Sequence, residues 1–382
     1  MKLRLFAIVA VVSLLSVPAP VVGQTPEQVV KAWADKRAGI QNARFELDVE
    51  CFQAKETDKM TKQVIREHDV TYRQHVTLIL DFEKGRFRKS QRGEEYSGRT
   101  KKNEPYDGST AYDGKTYFSM ARPPGGGTGV GLHTGRASDY MEVTGHLARK
   151  EFDNYLLPAF FVCGVVPLEP DSKLYPGQFH TYDSTQFADV MFPSRRRTNE
   201  AGGRWFETVQ SVYRDRTELL VTTDADATVL ARVKTRRDGS PMYETTIKYA
   251  KKDGRRVPES WQFTNTYDGG LLRYRCTVEQ VVFNAPLTDD LFTLTPDEGM
   301  VAAKIKYPEQ GEPQDTIPPR ETYEVKAGGK MVRNDDADPY SKHVSSTAPV
   351  NRTWYWIAGA GAVVAGASVG VVLFRRRSRK AQ

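Results

Sequence analysis

A glycine-rich loop, a pair of aspartates, six histidines and three cysteines are the residues of this 382-residue chain whose types could support chemistry. The loop PPGGGTGVGLHTG, Pro123 to Gly135, has the small residues of a phosphate cradle. It contains neither G-x-G-x-x-G nor G-x-x-x-x-G-K, and no parallel β-α context surrounds it, so a plain surface loop is expected. Asp224 and Asp226 in TTDADATV open like a calcium loop but lack its central Gly and terminal Glu, which leaves a hairpin turn. The histidines at 68, 75, 133, 146, 180 and 343 have no spacing that assembles a zinc site. No G-x-S-x-G occurs, and Cys51, Cys163 and Cys276 lie in apolar stretches, away from bases that would stabilise a thiolate. Buried structural thiols are expected, and three of them permit three alternative disulfides with no basis for choosing. Glu46, Asp48 and Glu50 alternate along one strand face, as the acids of any half-wet sheet do, and Arg195, Arg196 and Arg197 read as a solvated turn. These patterns point away from an enzyme, a metal or a cofactor, and toward binding.

Charge narrows the partner. The formal net charge is +7, but Lys2 and Arg4 near the start and five bases in the last eight residues account for it, so the residues between carry no net charge. A nucleic-acid partner is therefore not expected; basicity at the ends sets membrane topology instead. Residues 1–23, with Lys2 and Arg4 before an apolar run from Leu5 to Leu15, predict a signal peptide cut before Gln24. Residues 354–374 are 21 in number and uncharged, and at about 1.5 Å per residue they suffice to cross a core of roughly 30 Å. Trp354, Tyr355 and Trp356 mark the outer edge, and the basic tail 375–382 marks the cytoplasmic side. Ala358, Ala362, Gly366 and Gly370 recur at fourfold spacing and would let two such helices form a homodimer. Between anchor and domain, residues 304–353 are rich in Pro, Gly and charge and predict a disordered stalk. That leaves an extracytoplasmic domain of residues 24–303, in the periplasm or at the cell surface.

The elements of that domain follow from periodicity. Thr25, Pro26 and Gln28 compose a capping box ahead of a helix whose apolar face is Val29, Trp33 and Ile40, with Gly39 as its stop. The period then becomes two: Phe45, Leu47, Val49 and Cys51 share one strand face, and similar alternation runs through Val229–Val233, Tyr243–Tyr249 and Leu272–Val278. Asp238-Gly239, Asp253-Gly254 and Asp268-Gly269 stand fifteen residues apart and predict three hairpins in an up-and-down meander. Asp113-Gly114 predicts a fourth turn. So long a sheet must close or be covered. The first helix is one cover, and the apolar stretch Phe152 to Leu168 is the other.

The helix ending in GIQNARFELDVE, the strand pair around DGKTYF, Asp113 to Phe118, and the closing run VEQVVFNAPLTDDLFTLTPDEGMV resemble the LolA-like lipoprotein carriers and the related RseB-like sorting superfamily. Within the closing run, Asn284, Pro286, Phe292, Pro296 and Gly299 carry the likeness. The resemblance implies an α+β, mainly antiparallel fold: a curved, incompletely closed β barrel covered by helices, with an apolar inner face that holds acyl chains. On that basis the expected ligand-binding residues are Phe45, Leu47 and Val49 on the sheet, with Tyr155, Leu157, Phe160 and Phe161 on a movable cover. The expected partners are lipid or lipoprotein acyl chains, at about 0.8 kcal/mol per buried methylene. An envelope sensor or protein-interaction domain with a permanently filled groove is the alternative.

Overall fold

The computed structural model describes residues 24–57, 64–97, 100–122, 140–144, 152–167, 184–197, 202–208, 215–252, 255–267, 270–296, 298, 301–305 and 320–333. Helix α1 (Pro26–Ala38) opens on the expected box: the Thr25 hydroxyl accepts from the Gln28 amide at 3.4 Å, and the Gln28 side chain accepts from the Thr25 amide at 2.9 Å. Its apolar face, Val29, Val30 and Trp33, is buried. Strands follow as β1 (Asn42–Gln53), β2 (Glu56–Thr57), β3 (Val64–Arg66), β4 (Val70–Asp81), β5 (Arg86–Ser97), β6 (Lys102–Tyr112), β7 (Tyr117–Arg122) and β8 (Tyr140–Thr144). Then come a short helix α2 (Leu157–Val162), β9 (Met191–Pro193), β10 (Gly203–Thr208), β11 (Arg216–Thr222) and β12 (Val229–Thr235). The series ends with β13 (Pro241–Lys252), β14 (Arg255–Tyr267), β15 (Gly270–Phe283), β16 (Val301–Ile305), β17 (Arg320–Lys326) and β18 (Lys330–Arg333).

Sixteen of these strands form one sheet, in the order β18-β17-β16-β8-β7-β6-β5-β4-β1-β15-β14-β13-β12-β11-β10-β9. Every neighbouring pair is antiparallel except β8 with β16, which follows β15 in the chain although six strands stand between the two in the sheet. The predicted meander from β12 to β15 is present, with β13, β14 and β15 12, 13 and 14 residues long. The predicted turn at Asp113-Gly114 joins β6 to β7; Gly114 sits at φ +99°, which glycine adopts without strain.

The sheet is curved but not closed: β9 and β18 are free of each other at its two ends. One core cluster contains Phe87 of β5, Phe45 of β1, Trp261 of β14, Leu219 of β11 and Phe206 of β10, together with Trp33 of α1 and Phe160 of α2. Laid flat, eight strand spacings would separate β5 from β10 by about 38 Å, so both can touch the same helices only if the sheet curls. Register shifts where β1 meets β15, β11 meets β12, β12 meets β13 and β13 meets β14 supply added twist. The shift between Leu220 and Val221 also corrects the alternation expected over Val229–Val233. Val229 joins the main core, whereas Ala231 and Val233 pack with Trp205 and Leu220 in a separate cluster.

Two further differences concern the ends. The stalk expected over 304–353 is in part ordered: β17 and β18 extend the sheet, and Thr322 and Val325 are buried, Val325 in a cluster with Ala111, Leu294 and Ala302. Strands of seven and four residues cannot fold alone, but an existing sheet edge supplies both hydrogen bonds and an apolar surface. The expected signal peptide, the rest of the stalk, the membrane span with its small-residue stripe, and the basic tail lie outside the described residues. Among the described residues no helix is long and apolar enough to cross a membrane.

Candidate functional site

All seven residues expected to bind ligand converge on one place. Phe45, Leu47 and Val49 are fully buried on the concave face of β1, and Tyr155, Leu157, Phe160 and Phe161 are buried opposite them in the segment 152–166. Contacts in this layer are close. Tyr155 stacks on Tyr274 with ring centroids 4.2 Å apart, and its carbonyl accepts from the Trp261 indole at 2.7 Å. Phe152 bridges Phe87 at 4.7 Å and Phe160 at 4.6 Å. Gly164, at φ +78°, lets the end of α2 lie against α1; a Cβ there would come 2.3 Å from the Trp33 carbonyl oxygen. The residues named from sequence therefore pack against one another as a plug in the curved sheet.

Open space lies beside that plug, between α1, the turn before β12 and the ends of β13 to β15. A cleft of about 770 Å³ has Ala32, Ile40, Val162, Tyr249 and Phe283 as apolar walls. Val162 belongs to the buried core itself, and the other four pack against it, so the cleft is a continuation of the groove. Its rim carries Lys31, Asp35 and Lys36 from α1, with Asp226, Thr228 and Arg256 facing them. The rim is held in place by α1: the Trp33 indole donates to the Ala227 carbonyl at 2.6 Å, and Ala227 is at φ +45°. Asn284, also left-handed at φ +55°, accepts from the Gln41 amide at 2.7 Å and donates to the Gly39 carbonyl at 3.1 Å, which joins the end of β15 to the end of α1.

Polar groups on this rim differ in how well they are satisfied. Lys31 pairs with Asp35 at 2.7 Å, and Arg256 pairs with Asp224. Lys36 is half-buried and donates to the Asp226 carbonyl at 3.2 Å; burial pushes its ammonium below the usual lysine range, and Asp226 opposes that only in part. The Thr228 hydroxyl and the Gln24 side-chain oxygen are buried and accept or donate no hydrogen bond. A buried unsatisfied polar atom costs about 1–3 kcal/mol, and neither of these two has surface open to the cleft. Ile40 and Tyr249 were legible as members of apolar faces. Lys36 and Thr228 carry no sequence signal, since their role exists only where a helix and a turn nearly 200 residues apart meet.

Elsewhere several polar side chains have structural partners, while the buried Arg66 Nε, Arg232 Nε and Nη1 and Arg273 Nε make no hydrogen bond. Glu46 bonds Thr77 and His75 on the convex face, Glu50 pairs with Arg73 and Arg275 at 3.2 Å each, and Arg197 lies over the Trp205 ring and pairs with buried Glu218 at 2.9 Å. Asp224 and Asp226 occupy the turn between β11 and β12. The three cysteines are buried and unbonded to one another, and burial pushes the Cys163 thiol up to about 12. Among the described residues no group of His, Cys, Asp and Glu could hold a metal ion. The glycine-rich loop and the histidines at 133, 146, 180 and 343 lie outside the described residues.

No family model matches the chain, and no curated protein aligns with it significantly. Solved structures similar to it include a LolA superfamily protein, an outer membrane lipoprotein-sorting protein domain and a DUF1329 family protein, all at low similarity. One described as an outer membrane lipoprotein-sorting protein domain, from Vibrio parahaemolyticus, is 9% identical, with 70% of this chain and 97% of that one covered at a TM-score of 0.37. A LolA superfamily protein from Nitrosomonas europaea is 10% identical over 69% of this chain and 97% of that one, with a TM-score of 0.33. A DUF1329 family protein from Desulfovibrio piger is 12% identical over 70% and 95%, also at 0.33. The curved sheet, its plug and the open cleft carry the functional reading independently of these alignments.

Proposed function

We propose that the chain is a non-enzymatic, extracytoplasmic binding protein that holds the acyl chain of a lipid or lipoprotein between its curved sheet and α1. The cleft of about 770 Å³, with a polar rim and an apolar wall continuous with the buried core, is the observation that carries this reading. Its volume lies within the 300–1,000 Å³ usual for small-molecule sites. Energetics favour the cleft over the plug. Displacing six buried plug side chains such as Leu157 and Phe160 costs about 9–18 kcal/mol, while an acyl chain of about fourteen methylenes gains about 11. A ligand that enters beside the plug need not displace it, so Val162 and Phe283 meet the chain while Phe45, Leu47 and Val49 support the wall from behind. The leader over 1–23 and the apolar span over 354–374 support a tethered address outside the cytoplasm, with Ala358, Ala362, Gly366 and Gly370 suited to a paired anchor.

Mass spectrometry of an organic extract of the purified full-length protein tests the reading: a stoichiometric co-purified lipid is expected, at a level lowered by Val162→Asp. A lipid-free extract from protein that also takes up no added acyl probe refutes it. The complete burial of the plug favours the second reading, an interaction domain with a filled groove. That reading predicts a stable envelope partner recovered by cross-linking and no lipid.

A further inference from the structure

Positive charge gathers on one hairpin at the edge of the cleft. The stretch KYAKKDGRR, Lys248 to Arg256, carries five cations and one acid, and it forms the end of β13, the turn and the start of β14. Register sets Lys251 opposite Arg256 and Lys252 opposite Arg255, two like-charged cross-strand pairs in succession. Like charges directly opposite each other weaken a hairpin, and an anionic surface laid against them removes that cost. Neighbouring acids do not cancel the charge. Glu259 stands in the bulge beside Lys248, Asp224 pairs with Arg256, Asp35 pairs with Lys31 at 2.7 Å, and Asp226 lies beside Lys36. Lys251, Lys252 and Arg255 are left with Asp253 as the one acid of the tip. The residues between the two termini carry no net charge, so attraction to an anion is local to this hairpin rather than a property of the domain.

We propose that the tip of the β13–β14 hairpin is a docking surface for an anionic lipid bilayer. Tyr249 and Arg256 of the same hairpin line the cleft, so docking sets the edge of the cleft against the headgroups. Each cation close to such a surface strengthens partition about fivefold, so Lys251, Lys252 and Arg255 together suffice for about a hundredfold preference over a neutral bilayer. The assignment goes beyond the acyl-binding reading and holds whatever the cleft contains.

A fluorophore on the hairpin tests it. In full-length Ala250→Cys the new thiol is exposed while the three native cysteines are buried, so nitrobenzoxadiazole labels position 250. In vesicles of phosphatidylcholine with phosphatidylglycerol, its emission is expected to be blue-shifted relative to vesicles of phosphatidylcholine alone, and about 0.5 M salt should reverse the shift by screening. Adding Lys251→Gln and Lys252→Gln should lower the ratio of docked to free hairpin about 25-fold. Lys102→Gln with Lys330→Gln removes the same charge from exposed positions elsewhere and should leave that ratio unchanged. Unaltered thermal unfolding of the variants excludes a folding defect. Equal emission in the two kinds of vesicle, or a loss as large from the distant pair as from the hairpin pair, overturns the docking surface. Either result leaves the acyl-binding reading standing, since co-purified lipid decides that reading separately.

Discussion

Arg86 is 7% exposed, its guanidinium 2.6 Å from Asp81 and 2.6 Å from Asp289, and 4.3 Å over the Phe292 ring. This clasp ties the closing segment after β15 to the β4–β5 hairpin. Removing one member of a buried pair strands the other, at about 3–5 kcal/mol. Arg86→Met should therefore lower stability by about 3 kcal/mol in urea unfolding, with Asp81 left in the interior. Asp289 is exposed, so Asp289→Asn should cost far less than Arg86→Met at neutral pH. Hydrogen bonds from Arg86 and then Lys84 hold the Asp289 carboxyl below its ordinary value of 3.8. Its contribution is thus complete above that value and disappears as pH falls through the lowered one. Urea midpoints between pH 5 and pH 2 should drop less steeply in Asp289→Asn than in the native chain; identical slopes refute the assignment. The sequence contained Arg86 and Asp289 in plain view, but nothing in it joins residues 203 positions apart.

At the scale of elements, α1 and β1 were readable because local chemistry specifies them: a capping box and strict alternation need no distant partner. The covering segment was readable as apolar but not as a plug. Composition reports that a stretch avoids water without saying whether it moves. With Phe160 fully buried and Tyr155 held by both a stacked ring and an indole hydrogen bond, the element is packed as the filled-groove alternative expects. Phe160→Ala should cost about 3–5 kcal/mol, and Leu157→Asp should prevent folding. Thr25→Ala, which removes one cap, should cost only about 1 kcal/mol. A Leu157→Asp chain that folds with native near-ultraviolet circular dichroism would show the segment to be a movable cover after all.

For the whole molecule, the sheet continues past residue 303, where composition suggested that folding stops. A chain ending at 303 uncovers Ala302 and Leu294, whose neighbour Val325 is fully buried. Losing one such valine is worth about 1.5–3 kcal/mol, so residues 24–303 should melt about 4 °C or more below residues 24–333, by calorimetry. Equal melting temperatures would mean that β17 and β18 add nothing to the fold.

Periodicity, caps and Asp-Gly turns were enough to specify the antiparallel meander, its buried face and the two covers, because each depends on residues within one or two turns of chain. Where the face curls, where it stays filled and where it stays open depend on bulges and on contacts between segments far apart in sequence. For that reason the seven residues named in advance proved to be the packed wall. The open cleft was assembled from α1, a turn at 225–228 and the ends of β13 to β15, elements whose meeting is a property of the folded sheet alone.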